Sequence, residues 1–79
     1  MKVNDLLIKC VNITINDKVT IVTLVKDIAT GGIERIINKE YDVLYLLDSE
    51  LYVDKEVLHF ILVNEKNLVI TIEEHKKFN

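Results

Sequence analysis

The sequence predicts one small α+β domain over residues 1–79: a twisted antiparallel sheet of four to five strands with one or two short helices on one face. Three observations carry this reading. In the stretch 57–74, VLHFILVNEKNLVITIEE, two β-prone runs (57–63 and 68–72) flank the polar tetrad Asn64-Glu65-Lys66-Asn67, the pattern of an antiparallel hairpin. Along the second run Leu68, Ile70 and Ile72 share one face, and Val69, Thr71 and Glu73 share the other. Period-two alternation recurs in 11–16, and 19–25 reads as a strand apolar on both faces, whereas 3–10 has helical spacing. A small all-β barrel is the alternative architecture.

Taken in order, Val3, Leu6, Leu7 and Cys10 mark a short helix over 3–10, with Asn4 as its N-cap and Asp5 in its first turn. Val3 and Ile8 are placed to form a hydrophobic staple around that cap. A strand is expected over 11–16, with Val11, Ile13 and Ile15 inward, and Asn16-Asp17-Lys18 supplies the turn after it. The next strand, 19–25, is apolar on both faces: Ile21 and Val25 on one, Val22 and Leu24 on the other. Such a strand is expected to be central, or covered by a helix on its second face.

Residues 26–32 form the main loop, ending in Thr30-Gly31-Gly32. Beyond it Ile33, Ile36, Ile37, Tyr41 and Leu44 fit a helical stripe, yet 33–37 reads equally as a short edge strand. We favour strand or irregular structure for 33–37 and a short helix over 42–47. Asp48-Ser49-Glu50 ends that helix, and Asp54-Lys55-Glu56 turns the chain into the closing hairpin. A mobile tail is expected over about 75–79.

Seventy-nine residues sit near the lower limit for a self-supporting core, and 49% apolar composition favours a packed domain over disorder. With no Pro and two Gly, the turns fall to Asn, Asp, Lys and one Gly pair. A net charge of −3, with Lys76-Lys77 set beside Glu73 and Glu74, offers no basic patch for a phosphate backbone, so nucleic acid is not an expected partner. The single cysteine excludes an intramolecular disulfide framework and suits a reducing cytosol. The opening MKVNDLLIKC lacks the apolar core of a secretory signal. The longest apolar runs, 43–47 and 57–63, fall far short of the ~20 residues that span a bilayer. The expected setting is therefore the cytoplasm, with no membrane partner. Richness in Ile, Lys and Asn is a habit of AT-rich genomes.

No catalytic or metal-ligating constellation stands out. Cys10, on the apolar stripe of the first helix, reads as a structural thiol, with no neighbouring His or Cys to activate it. His59 reads as a core or rim residue of its strand, and the pair His59 and His75 has no zinc spacing. Asp42, Asp48, Glu50, Asp54 and Glu56 crowd one segment. No spacing among them selects a hydrolase pair, and the EF-hand pattern is absent. The Gly31-Gly32 turn and Arg35 offer backbone N–H groups and a cation to an anion, but lack the Lys-Ser/Thr of a P-loop. Tyr41, Tyr45 and Tyr52 form the most suggestive group, because tyrosine amid acidic residues is typical of contact surfaces.

Three local motifs carry a resemblance: Val3-Asn4-Asp5-Leu6-Leu7 near the start, Asp54-Lys55-Glu56-Val57, and Leu68-Val69-Ile70-Thr71-Ile72. In this layout the chain resembles small accessory proteins of phages and integrated mobile elements of low-GC Gram-positive bacteria. The resemblance spans most of the chain and brings no catalytic residues with it. It implies a protein that acts on something in the host cytoplasm, as inhibitors of bacterial defence systems such as anti-CRISPR proteins do. A charge of only −3 argues against the DNA-mimic form of that idea.

The first expectation is thus a non-enzymatic interaction module that modulates a host or element-encoded protein without a cofactor. Its contact face would be Tyr41, Tyr45, Asp48, Glu50 and Tyr52. A second is an oligomeric protein that sequesters an anionic, nucleotide-like ligand at Gly31, Gly32 and Arg35. A third is a minor structural or assembly subunit. Because complete burial of so apolar a chain is hard, a homodimer or higher homo-oligomer through a sheet edge or helix face is also expected.

Overall fold

Local turns make two hairpins, and one long-range pairing joins them. A computed structural model describes residues 1–10, 13–63 and 67–75. The elements run α1 (Val3–Lys9), β1 (Lys18–Lys26), β2 (Ile33–Asp42), α2 (Val43–Ser49), β3 (His59–Val63) and β4 (Asn67–His75). They form a four-stranded sheet in the order β2-β1-β4-β3. β1 pairs antiparallel with β2, and β3 pairs antiparallel with β4. The two central strands, β1 and β4, run parallel. The sheet is therefore mixed rather than antiparallel, because either orientation of one hairpin against the other preserves the same alternation along each strand.

The α+β class holds, and both central strands show why. In β1, Val19 and Ile21 are buried, as are Leu68, Ile70 and Ile72 in β4. In-register pairing sets Val19 against Leu68 and Ile21 against Ile70, which makes an apolar floor. Val3, Leu6 and Leu7 of α1, Val43 and Leu46 of α2, and Ile13 pack onto it as one core. Both helices have seven residues, too few to persist alone, so burial of these stripes is what holds them helical.

Three expectations near the N-terminus are corrected. Residues 13–16 form no strand, and 11–12 lie outside the described residues. Asp17 Oδ2 accepts from the Thr14 N–H at 2.9 Å, and Thr14 Oγ1 accepts from the Asn16 N–H at 3.3 Å. These local side-chain bonds occupy N–H groups that a ladder would need. Ile13 still points inward, but Ile15 is 53% exposed. The α1 cap also differs: Lys2 is the N-cap, without a side-chain cap bond, and Asn4 sits inside the helix with its Oδ1 buried and unpaired. Ile8 is 72% exposed, so no staple forms. Backbone pairing sets the start of α1 instead. The Val3 N–H donates to Lys55 O at 3.0 Å, and the Val57 N–H donates to Met1 O at 2.9 Å. Alongside, the terminal ammonium donates to Glu56 Oε2 at 3.0 Å and, by that bond and its charge, holds the Glu56 carboxyl below its ordinary range.

The uncertain stretch after Gly32 is a strand through to Asp42, paired along its length with β1. Its helix-like spacing of apolar residues loses to that ladder. Gly31, at φ 73°, supplies the left-handed residue of the hairpin loop. The expected helix over 42–47 forms as α2, and Glu50 ends it in the left-handed region at φ 54°. The closing hairpin forms as expected. Residues 64–66 of its turn and 76–79 of the expected tail lie outside the described residues.

Truncation at the floor should be costly and truncation at the unformed staple should not. Ile70→Ala is expected to lose about 2–5 kcal/mol in urea unfolding, whereas Ile8→Ala should stay within about 0.5 kcal/mol.

Candidate functional site

The helical side of the molecule carries the site, at the end of the β1–β2 hairpin where β2 runs into α2. Lys18 pairs with Asp42 there, and the Val43 N–H donates to Asp17 O at 3.0 Å, tying the start of α2 to the turn before β1. With Val43 and Leu46 turned into the core, Leu44, Tyr45, Asp48 and Ser49 are left outside. A seven-residue helix that reads VLYLLDS is apolar nearly all round, and only part of it can be buried.

Three of the expected contact residues meet. The Tyr41 and Tyr45 rings stack with centroids 6.0 Å apart and an interplanar angle of 3°. Tyr52 meets Tyr41 edge-on at 5.5 Å and 77°, and the Tyr41 and Tyr52 hydroxyls share a hydrogen bond of 2.7 Å. Lys39 Nζ lies 5.4 Å from the Tyr41 ring centroid, within cation–π range. Tyr41 and Tyr52 are half-buried against the core, so they brace Tyr45, which is exposed. Burial, and then the hydrogen bond with Tyr41, push the Tyr52 phenol above the ordinary range. Such a phenol stays protonated at neutral pH; it can donate and accept hydrogen bonds but supplies no phenolate nucleophile.

Beside the tyrosines lies an open cleft of about 600 Å³ lined by Ile15, Asn16, Asp42, Leu44, Tyr45, Asp48 and Ser49. Ile15, Leu44 and Tyr45 present exposed apolar surface, and Asp42 and Asp48 add two carboxylates. Among the described residues no basic side chain lines it. Of the expected contact set, Tyr45 and Asp48 line the cleft, Tyr41 and Tyr52 support it, and Glu50 is an exposed C-cap outside it. Ile15 and Leu44 had no sequence signal of their own. Ile15 read as the inward residue of a strand, and Leu44 as one more member of an apolar run.

Gly31, Gly32 and Arg35 sit at the opposite end of the same hairpin, since Arg35 pairs with Val25 whereas Asp42 pairs with Lys18. The loop spends its own donors there: the Gly31 N–H goes to Asp27 O at 2.8 Å and the Gly32 N–H to Thr30 Oγ1 at 3.2 Å. Cys10 is half-buried at the C-cap of α1, packed against the core. His59 is exposed on β3. Among the described residues no group of three His, Cys, Asp or Glu side chains is placed to hold a metal ion, and no helix is long and apolar enough to cross a membrane.

Alkaline titration followed by phenolate absorbance should show Tyr52 ionising later than a free tyrosine. Because the folded state raises this pKa above its unfolded value of 10.0, the associated stability is complete below that pH and is lost as pH rises past it. Tyr41→Phe should bring the Tyr52 ionisation part of the way down, since burial remains, and cost about 1 kcal/mol in urea unfolding. A titration curve unchanged by that substitution would disprove the coupling.

No protein-family model, curated protein or solved structure matches the chain.

Proposed function

We propose that this chain is a non-enzymatic protein-interaction module that takes a basic, amphipathic segment of a partner protein into the cleft beside α2. One observation carries the reading: exposed Ile15, Leu44 and Tyr45 share a concave surface with Asp42 and Asp48, with no lysine or arginine lining it among the described residues. An acidic face that merely keeps a protein in solution has no need of an apolar floor. Apolar side chains of a partner would bury against Leu44 and Tyr45, while its lysines or arginines would meet the two carboxylates and set orientation and on-rate. The half-buried tyrosines behind the cleft hold its wall in place before binding, which lowers the ordering cost of association.

The resemblance to mobile-element accessory proteins gives this a context. The partner would be a host or element-encoded protein of a bacterial cytoplasm, a defence component among the candidates. The sequestering reading has less support, because the Gly31 and Gly32 N–H groups are engaged within their own loop.

Fluorescence anisotropy with a labelled Leu/Lys amphipathic peptide, and with its Leu/Glu counterpart, tests the proposal. Only the basic peptide should bind, more weakly as salt rises. Asp48→Lys and Tyr45→Ala, both at exposed positions, should each weaken it about tenfold. Equal affinity for the two peptides, or indifference to Asp48→Lys, would rule the cleft out.

A further inference from the structure

Both helices lie on one face of the sheet, and no described element covers the other. Strand alternation and register place Ile36, Leu24, Val22, Val69, Ile61 and Val63 on that open face. They are not scattered. Ile36 lies opposite Leu24, Val22 follows two residues before it on β1, and Val69 lies opposite Ile61 with Val63 beyond. The six make a diagonal apolar stripe from the β2 edge to the β3 edge. At one end Ile36 is 58% exposed, and toward the other Ile61 and Val63 are 54% and 41% exposed.

Among the described residues, four charged side chains beside the stripe are paired within the chain. On one flank Lys18 Nζ lies 3.7 Å from Glu40. On the other, Lys26 Nζ lies 3.2 Å from Glu73, which also meets His75 at 3.3 Å. An apolar stripe between two internally neutralised corners offers nothing to select a strongly acidic or basic partner. It is, however, complementary to itself. A twofold axis along the stripe lays apolar on apolar and sets the Lys18–Glu40 corner of one copy over the Lys26–Glu73 corner of the other. No like charges are forced together.

We infer that this open face is the interface of a homodimer, a second copy of this chain packing sheet against sheet. The area is sufficient. Four strands spaced at ~4.8 Å and about eight residues at ~3.3 Å project roughly 500 Å² per copy, which reaches the lower bound of a specific interface at about 1,000 Å² in total. An interface at that lower bound belongs with weak, reversible association. It leaves the cleft beside α2 free, because the cleft lies on the helical side, so the two surfaces act independently.

Sedimentation equilibrium in the presence of a reductant, from about 1 to about 300 μM, is the test. The native chain should pass from monomer to dimer over that range. Ile61→Glu and Ile36→Lys, toward opposite ends of the stripe, should each raise the dissociation constant about a hundredfold, since each buries a charge with no partner. Both positions are exposed in the isolated chain, and the urea midpoint of each variant, measured dilute, confirms that it remains folded. Leu44→Glu, on the helical side, should leave the dimer intact. A native chain that stays monomeric throughout, or a dimer that survives both stripe substitutions, overturns the inference. The second result would move the contact to the β2 edge or to the helices.

Discussion

Each hairpin of this protein is closed by residues near one another in sequence, and neither could bury an apolar face alone. They become a domain where β1 lies parallel to β4, with Val19 against Leu68, Ile21 against Ile70 and Thr23 against Ile72. All six of these side chains are buried. A slip of one residue between these strands would turn β4 over and send Leu68, Ile70 and Ile72 to the open face. The helices depend on the same pairing, since two seven-residue segments find their order only on the floor that those residues make. The N-terminal residues close the arrangement by bonding to the chain around Lys55 and Val57 just before β3.

The described elements build two layers. The two helices cover one face of the sheet, and there the core is continuous. No described element covers the other face, although β1 and β4 are β-prone on that side too, and the apolar stripe from Ile36 to Val63 lies there. Salt bridges at its corners keep it free of a net field while leaving its centre unpaired.

The cleft has a different origin. α2 is apolar on nearly every side and begins where β2 ends, so burying Val43 and Leu46 forces Leu44 and Tyr45 outward. Ile15, freed from a ladder by the turn around Thr14 and Asp17, lines the cleft with them. Tyr41 and Tyr52, joined by their hydroxyls, connect the end of β2 to the turn after α2 and stiffen the wall between. The binding proposed for this surface would rely on shape and charge rather than on a reactive group. Tyr52, with its phenol kept protonated, fits that role.

Much of this was written in local pattern. Alternation through Leu68, Ile70 and Ile72 marked a strand and named its buried face, and the Gly pair and the 42–47 run located a loop and a helix correctly. The tyrosine group was legible because its members lie close in sequence. What failed were features decided by competition or by distance. Residues 13–16 alternate like a strand, but side-chain bonds at Thr14 and Asp17 win locally. Asn4 looked like a cap, yet backbone pairing at Lys55 starts the helix two residues earlier than that cap implies. The strand favoured over 33–37 did form, but its continuation to Asp42 was not foreseen, because it depends on the ladder that β1 offers. The parallel meeting of β1 and β4, the open face and the company Ile15 keeps with Leu44 left no trace in pattern. They follow from how two finished hairpins dock, and local alternation is the same for every way of docking them.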